Sequence, residues 1–198
     1  AASDVYKRQI MNIVTSAFGN AGQKCSACSL LLVERSVYED ENFRSKLKDA
    51  ATSLKTGSVW NAGNIVGPMI TNKNDKLLQA FNLEPGESWL VPPHFIDHRE
   101  YILAPTVKWG VKPESFSFRT ELFGPLLSVA CIENLEEGIK LVNGLDYGLT
   151  SGLQSLDEKE QKLWKNSVMA GNLYINRGIT GAIVNRQPCL LYTSDAAD

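Results

Sequence analysis

Leu126-Leu127-Ser128-Val129-Ala130-Cys131-Ile132, followed by Leu135-Glu136-Glu137-Gly138-Ile139-Lys140-Leu141-Val142, sets the fold class. The first run is short and apolar, as a strand in the interior of a sheet must be, and the second reads as a helix. The same alternation continues downstream, with a strand over 149–153, a helix over 157–169 and a strand over 172–175. A further strand is expected at 102–107. Strands separated by helical segments of about ten residues need crossover connections, which predicts an α/β fold with a largely parallel sheet and flanking helices.

The first half is less regular. Ile10, Ile13, Val14, Ala17 and Phe18 recur at helical spacing, which predicts a helix over 10–21 with Gly22 as its C-cap. A buried strand follows at 29–33. Residues 39–54 predict an amphipathic helix: Phe43, Leu47, Ala50, Ala51 and Leu54 share one face, while Glu39, Asp40 and Glu41 suit the positive end of the dipole. Residues 58–70 read as loop and 72–82 as a weaker helix. The Pro- and Gly-bearing stretch 84–98 reads as surface loop.

Composition bounds the function. The chain has 198 residues, 43% hydrophobic and 21% charged, with 20 Lys and Arg against 22 Asp and Glu. That describes one ordinary globular core. No basic stripe interleaved with aromatics marks a nucleic-acid binder. No apolar run approaches the roughly 20 residues of a membrane span, and no signal core follows the N-terminus, so a cytoplasmic protein is expected. The cysteines at 25, 28, 131 and 189 lack the density of a disulfide scaffold and are expected as thiols. Cys25 and Cys28 form a C-x-x-C, but no second pair completes a zinc site, and His94 and His98 lie in a Pro-rich stretch, so no metal is expected.

The ends break the pattern. Residues 1–9 (AASDVYKRQ) and 189–198 (CLLYTSDAAD) lack periodicity and resemble translated adapter sequence. They are read as a non-native leader and tail around a domain over 10–188.

Within that domain, Phe18-Gly19-Asn20-Ala21-Gly22-Gln23-Lys24-Cys25-Ser26-Ala27-Cys28 places a cysteine just past a helix and beside Lys24. A thiol attacks only as thiolate, and helix termini and basic neighbours favour that form, so Cys25 is the candidate nucleophile. Lys24 is read equally as a group that lowers the thiol pKa or as one pointing to solvent. Cys28 reads as a small packed hydrophobe.

These residues resemble the active-site signature of the aldehyde dehydrogenase superfamily. Phe18-x-x-x-Gly22-Gln23-x-Cys25 is similar to its cysteine motif, and Glu121-Leu122-Phe123-Gly124-Pro125 to its Glu-x-Phe-Gly-Pro motif downstream. Pro105-Thr106-Val107, Asp146-Tyr147-Gly148-Leu149-Thr150-Ser151-Gly152 and Gly171-Asn172-Leu173-Tyr174-Ile175-Asn176 agree as well. Residues 22–28, 176–184 and Gln187-Pro188 most resemble the L-glutamate γ-semialdehyde (1-pyrroline-5-carboxylate) dehydrogenase branch, in the form found at the C-terminal part of bifunctional proline utilisation A.

The resemblance implies a function. Cys25 would add to the aldehyde carbon, its own N–H helping to hold the oxyanion, and water would release glutamate from the resulting thioester. Glu121 would accept hydrogen bonds from the nicotinamide ribose of NAD, with Phe123 beside the nicotinamide. Ser26, Gly181 and Ala182 would anchor the carboxylate-bearing end of the substrate, for which exposed loop amides are suited. Read by spacing alone, Gly178 and Gly181 mark a turn. No G-x-G-x-x-G or P-loop cradles a pyrophosphate. The resemblance therefore implies that most of the NAD site, the general base and a side-chain oxyanion donor lie N-terminal to this chain, with FAD involved only if a proline dehydrogenase domain is fused upstream. It also implies that the parent enzyme is a homo-oligomer, completed by a segment beyond Pro188. Two alternatives share the same motifs: another aldehyde or acylating semialdehyde dehydrogenase, and a non-enzymatic protein on the same scaffold.

Overall fold

In the computed structural model, residues 2–71, 74–97, 99 and 101–181 are described. In chain order they form α1 (Ala2–Phe18), β1 (Leu30–Glu34), α2 (Arg35–Tyr38), α3 (Glu41–Ser53), α4 (Asp75–Gln79), β2 (Ser88–Val91), β3 (Phe95–Asp97), β4 (Ile102–Leu103) and β5 (Thr106–Trp109). The second half forms α5 (Phe116–Arg119), β6 (Leu126–Ile132), α6 (Leu135–Asn143), β7 (Thr150–Leu153), α7 (Glu158–Ser167) and β8 (Asn172–Ile175).

The main sheet has the order β1-β6-β5-β2. β6 runs parallel to both neighbours, setting Leu31 opposite Val129 and Val107 opposite Leu127, and β2 closes the far edge antiparallel to β5. Every residue of β5 and all of β6 except Cys131 is buried, as strands covered on both faces require. The helix face Phe43, Leu47 and Ala51 of α3 joins Ile10, Val14 and Phe18 of α1 in the same core. Each large side chain so buried contributes roughly 1.5–3 kcal/mol.

A second, smaller core lies elsewhere. β7 and β8 form a separate parallel pair joined by α7, and Ile139, Trp164 and Val168 pack between this unit and α6. Asx caps start α3, α4, α6 and α7. The side chains of Asp40, Asn74, Asn134 and Asp157 accept from the amides of Asn42, Leu77, Glu137 and Lys159.

Several expected elements are shifted. The helix expected over 10–21 begins at Ala2 and ends at Phe18. The helix expected over 72–82 is reduced to α4, with 72–73 outside the described residues. The stretch 84–98 is a correction: it holds β2 and β3. Prolines flank β2 on both sides without interrupting it, which an edge strand tolerates. The strand expected over 102–107 divides at Ala104-Pro105, because proline has no amide to continue the ladder, giving β4 against β3 and β5 in the main sheet.

One charged residue sits in the sheet interior. Lys108 of β5 is closed off from solvent, and its Nζ lies 3.0 Å from Glu87 Oε2 and 2.9 Å from the Asn82 carbonyl oxygen, to which it donates. Burial opposes ionisation of Glu87. The Glu84 amide, Lys108 and Ser115 outweigh it and hold the carboxyl below its ordinary range. No helix among the described residues is long and apolar enough to cross a membrane.

Candidate active site

The nucleophile turn is built by a left-handed stretch of backbone. After α1, Asn20 and Ala21 take φ 55° and 54°, and Gly22 takes 66°. Left-handed residues with a Cβ cost roughly 1–2 kcal/mol each, and such strain persists only where the surroundings enforce it. Here Ala21 is buried in the main core and the Gln23 amide donates to the Asn20 carbonyl at 3.0 Å. A turn from Lys24 to Ala27 then presents Cys25 at the surface, and the Cys28 amide returns to the Ser16 carbonyl of α1.

Gly22 is where the two motifs meet. A Cβ built on it would lie 2.2 Å from the carbonyl oxygen of Gly124, so the cysteine turn and the Glu121–Pro125 loop touch backbone to backbone. Phe123 has φ 49° and its ring is 42% exposed. Cys25, Glu121 and Phe123 all line one cavity of about 390 Å³. An accessible thiol, an accessible carboxylate and an exposed ring around one cavity can hold a nucleophilic addition beside a bound polyhydroxyl or aromatic group.

The other expected residues are placed differently. Ser26 is buried and is not on the cavity wall; its carbonyl oxygen stands 3.5 Å from Thr150 Oγ1. Gly181 is exposed, with φ 89° and no atom within 4 Å of a built Cβ, and it does not line the cavity either. Ala182, Cys189 and the rest of 182–198 lie outside the described residues. Among the described residues no group of three or more His, Cys, Asp or Glu could hold a metal ion.

Tyr147 and Ser29 share the wall with Glu121, without having been singled out for a role. Burial pushes the Tyr147 phenol up, the nearby Ser29 opposes this, and the charge of Glu121 pushes it up again, while the buried hydroxyl makes no hydrogen bond among the described residues. The signal was present in Asp146-Tyr147-Gly148, but spacing alone gives such a tyrosine no task.

The three described cysteines are free thiols in different settings. The Cys28 thiol is half-buried, donates to the Leu30 carbonyl at 3.4 Å, and is pushed up to about 12 by burial, against the smaller opposing effect of that hydrogen bond. Burial also pushes up the Cys131 thiol, with Arg35 opposing and Glu133, Glu39 and Glu137 assisting. Cys28 makes a pH dependence testable. Its thiol ionises in the unfolded chain near the ordinary thiol pKa but stays protonated in the fold, so stability is full below about pH 8.5 and falls as pH rises toward 12. Urea melts of wild type and Cys28→Ala should show a shallower alkaline loss in the variant; parallel slopes would remove Cys28 as the cause.

The chain is similar to known proteins over most of its length. The model of the aldehyde dehydrogenase family matches residues 2–189. The chain is 34% identical over 181 residues to 1-pyrroline-5-carboxylate dehydrogenase of Staphylococcus haemolyticus, covering 89% of this chain and 34% of that protein. The counterpart from Geobacillus kaustophilus is 32% identical over 179 residues, with the same coverage. Among solved structures, proline utilization A from Corynebacterium freiburgense superposes with a TM-score of 0.87 at 40% identity, over 92% of this chain and 19% of that one. 1-Pyrroline-5-carboxylate dehydrogenase from Thermus with bound NAD superposes with a TM-score of 0.84 at 30% identity, over 92% of this chain and 35% of that one. The chain thus spans about a third of the length of the curated relatives it matches. With its motifs in order and its fold matched along nearly the whole length, the chain belongs to the aldehyde dehydrogenase family.

Proposed function

We propose that this chain supplies the catalytic cysteine of an NAD-dependent enzyme that oxidises L-glutamate γ-semialdehyde to L-glutamate. The observation that carries the reading is that Cys25, Glu121 and Phe123 line one cavity, their two loops in contact through Gly22 and Gly124. Similarity to 1-pyrroline-5-carboxylate dehydrogenases supports the choice of substrate.

Cys25, exposed at the mouth of the cavity, adds as thiolate to the aldehyde carbon and forms a thiohemiacetal. The backbone amide of Cys25 is the donor for the developing oxyanion. The chemistry that NAD supplies when bound is acceptance of the hydrogen and two electrons lost as this adduct becomes a thioester. Glu121 fits the ribose end of that cofactor, because an accessible carboxylate accepts from two hydroxyls at once, and the exposed Phe123 ring offers a flat apolar face beside it. Water attacks the thioester, frees Cys25 and releases the acid. Gly181 and Ala182 are proposed to bind the far carboxylate of the substrate through backbone amides, with Ser26 backing the turn from its buried position.

The test compares substrates in the full-length enzyme that carries this segment. NADH formation with glutamate semialdehyde should exceed that with acetaldehyde by at least about 100-fold in kcat/KM, because only the former engages donors built for a carboxylate. Equal values would overturn the substrate assignment. This chain by itself is expected to form no NADH.

A further inference from the structure

We propose that Gln23 and Asn74 are positioning residues, a pair of carboxamides that holds the 122–124 backbone, and with it Glu121 and Phe123, against the cysteine turn. The inference rests on the reading of Glu121 and Phe123 as cofactor contacts. Neither residue touches the reacting atoms; each acts through the loop it grips.

Both side chains use both ends. Gln23 Oε1 accepts from the Ile70 amide at 2.9 Å, and its Nε2 donates to the Phe123 carbonyl oxygen at 3.3 Å. Asn74 Oδ1 accepts from the Leu77 amide at 3.0 Å, while its Nδ2 donates to the Leu122 carbonyl oxygen at 2.7 Å and reaches that of Phe123 at 3.5 Å. In each case only one amide orientation sets an acceptor against an N–H and a donor against a carbonyl. The two carboxamides therefore converge on consecutive carbonyls, one belonging to the left-handed residue Phe123. A left-handed Phe does not hold itself, so partners must fix it.

α4 adds a backstop. Leu77, which takes the cap from Asn74, is buried against Gly124 so closely that a Cβ there would lie 2.6 Å from Leu77 Cδ2. Gln23 comes from the other side, two residues before Cys25. The loop is clamped between the turn that presents the nucleophile and a short helix whose first polar side chain points back into it.

Asn74 has two separable tasks, and one substitution divides them. Asn74→Asp keeps an oxygen for the Leu77 amide and so keeps the helix cap, but it has no donor for the Leu122 carbonyl. Asn74→Ser likewise caps, and although its hydroxyl can donate, the shorter side chain ends short of the Leu122 carbonyl that Asn74 Nδ2 reaches. In the full-length enzyme both variants should raise KM for NAD about tenfold or more with kcat changed far less, and with melting within a few degrees of wild type. Gln23→Glu should do the same. A lowered melting temperature with unchanged KM would make Asn74 a helix cap and overturn the proposal, and an effect of Asp without one of Ser would trace to the new charge and also overturn it. In this chain by itself, Asn74→Asp should raise the iodoacetamide labelling rate of Cys25 relative to Cys131 by about threefold or more as the loop leaves the turn. An unchanged ratio would overturn the brace. If the wild-type enzyme fails to oxidise aldehydes, the functional reading falls while this labelling still reads the brace.

Discussion

Gly22→Ala is expected to lose more than about 4 kcal/mol of stability, an exceptional loss for the addition of one methyl group. Three backbone atoms stand in its way: the new Cβ would lie 2.2 Å from the Gly124 carbonyl oxygen, 2.7 Å from the Gly124 carbonyl carbon and 3.0 Å from the Ala17 carbonyl oxygen. None can rotate aside as a side chain would. The residue also has φ 66°, so the added Cβ strains the backbone even without neighbours. To relieve the clash the cysteine turn must part from the Glu121–Pro125 loop, and the site comes apart with the fold. Gly19→Ala is the control, since nothing lies within 4 Å of its built Cβ. Urea denaturation should find Gly19→Ala within about 1 kcal/mol of wild type and Gly22→Ala largely unfolded. Similar midpoints for the two would mean that the two loops do not meet as described.

Cys25→Ala in the full-length enzyme is expected to lower kcat by at least about 10,000-fold with little change in melting temperature. The asymmetry follows from exposure. Cys25 contributes no packing, and exposed positions rarely move stability by more than about 0.5 kcal/mol. Its whole cost falls on chemistry, because no other described thiol can take its place: Cys28 also lines the cavity but is half-buried and held as a thiol to high pH, and Cys131 does not line it. Single-turnover measurement of NADH formation is the decisive readout. Retained turnover in Cys25→Ala would assign the nucleophile elsewhere.

How much of this could be read from the residues depends on how local the cause is. β6 and β8 have the bounds expected for them, since a run such as Leu126–Ile132 announces its burial in its own composition. β2 was hidden because a short edge strand between prolines differs little from a loop until its partner is known, and that partner, β5, lies some twenty residues on. Lys108 inverted the expectation for a strand interior. Only Glu87 and the Asn82 carbonyl make that burial tolerable, and nothing near Lys108 in the chain foretells them.

The site divides in the same way. Cys25, Glu121 and Phe123 follow from the motifs, and the structure brings them to the lining of one cavity; Ser26 and Gly181 do not line it. Asn74 was invisible as a site residue because its grip on Leu122 spans 48 positions, and its local role as a helix cap fully accounts for an asparagine there.

The crossover beyond α6 packs apart from the main sheet. The β7–α7–β8 crossover forms no ladder with the main sheet and shares the apolar cluster around Trp164 with Ile139 of α6, so it can move as a unit hinged on that helix. The cavity runs along the seam between that unit and β1, with residues of both strands on its walls. Movement along that seam would change the room around Cys25 while leaving the left-handed turn that carries the thiol anchored to the main core through Ala21.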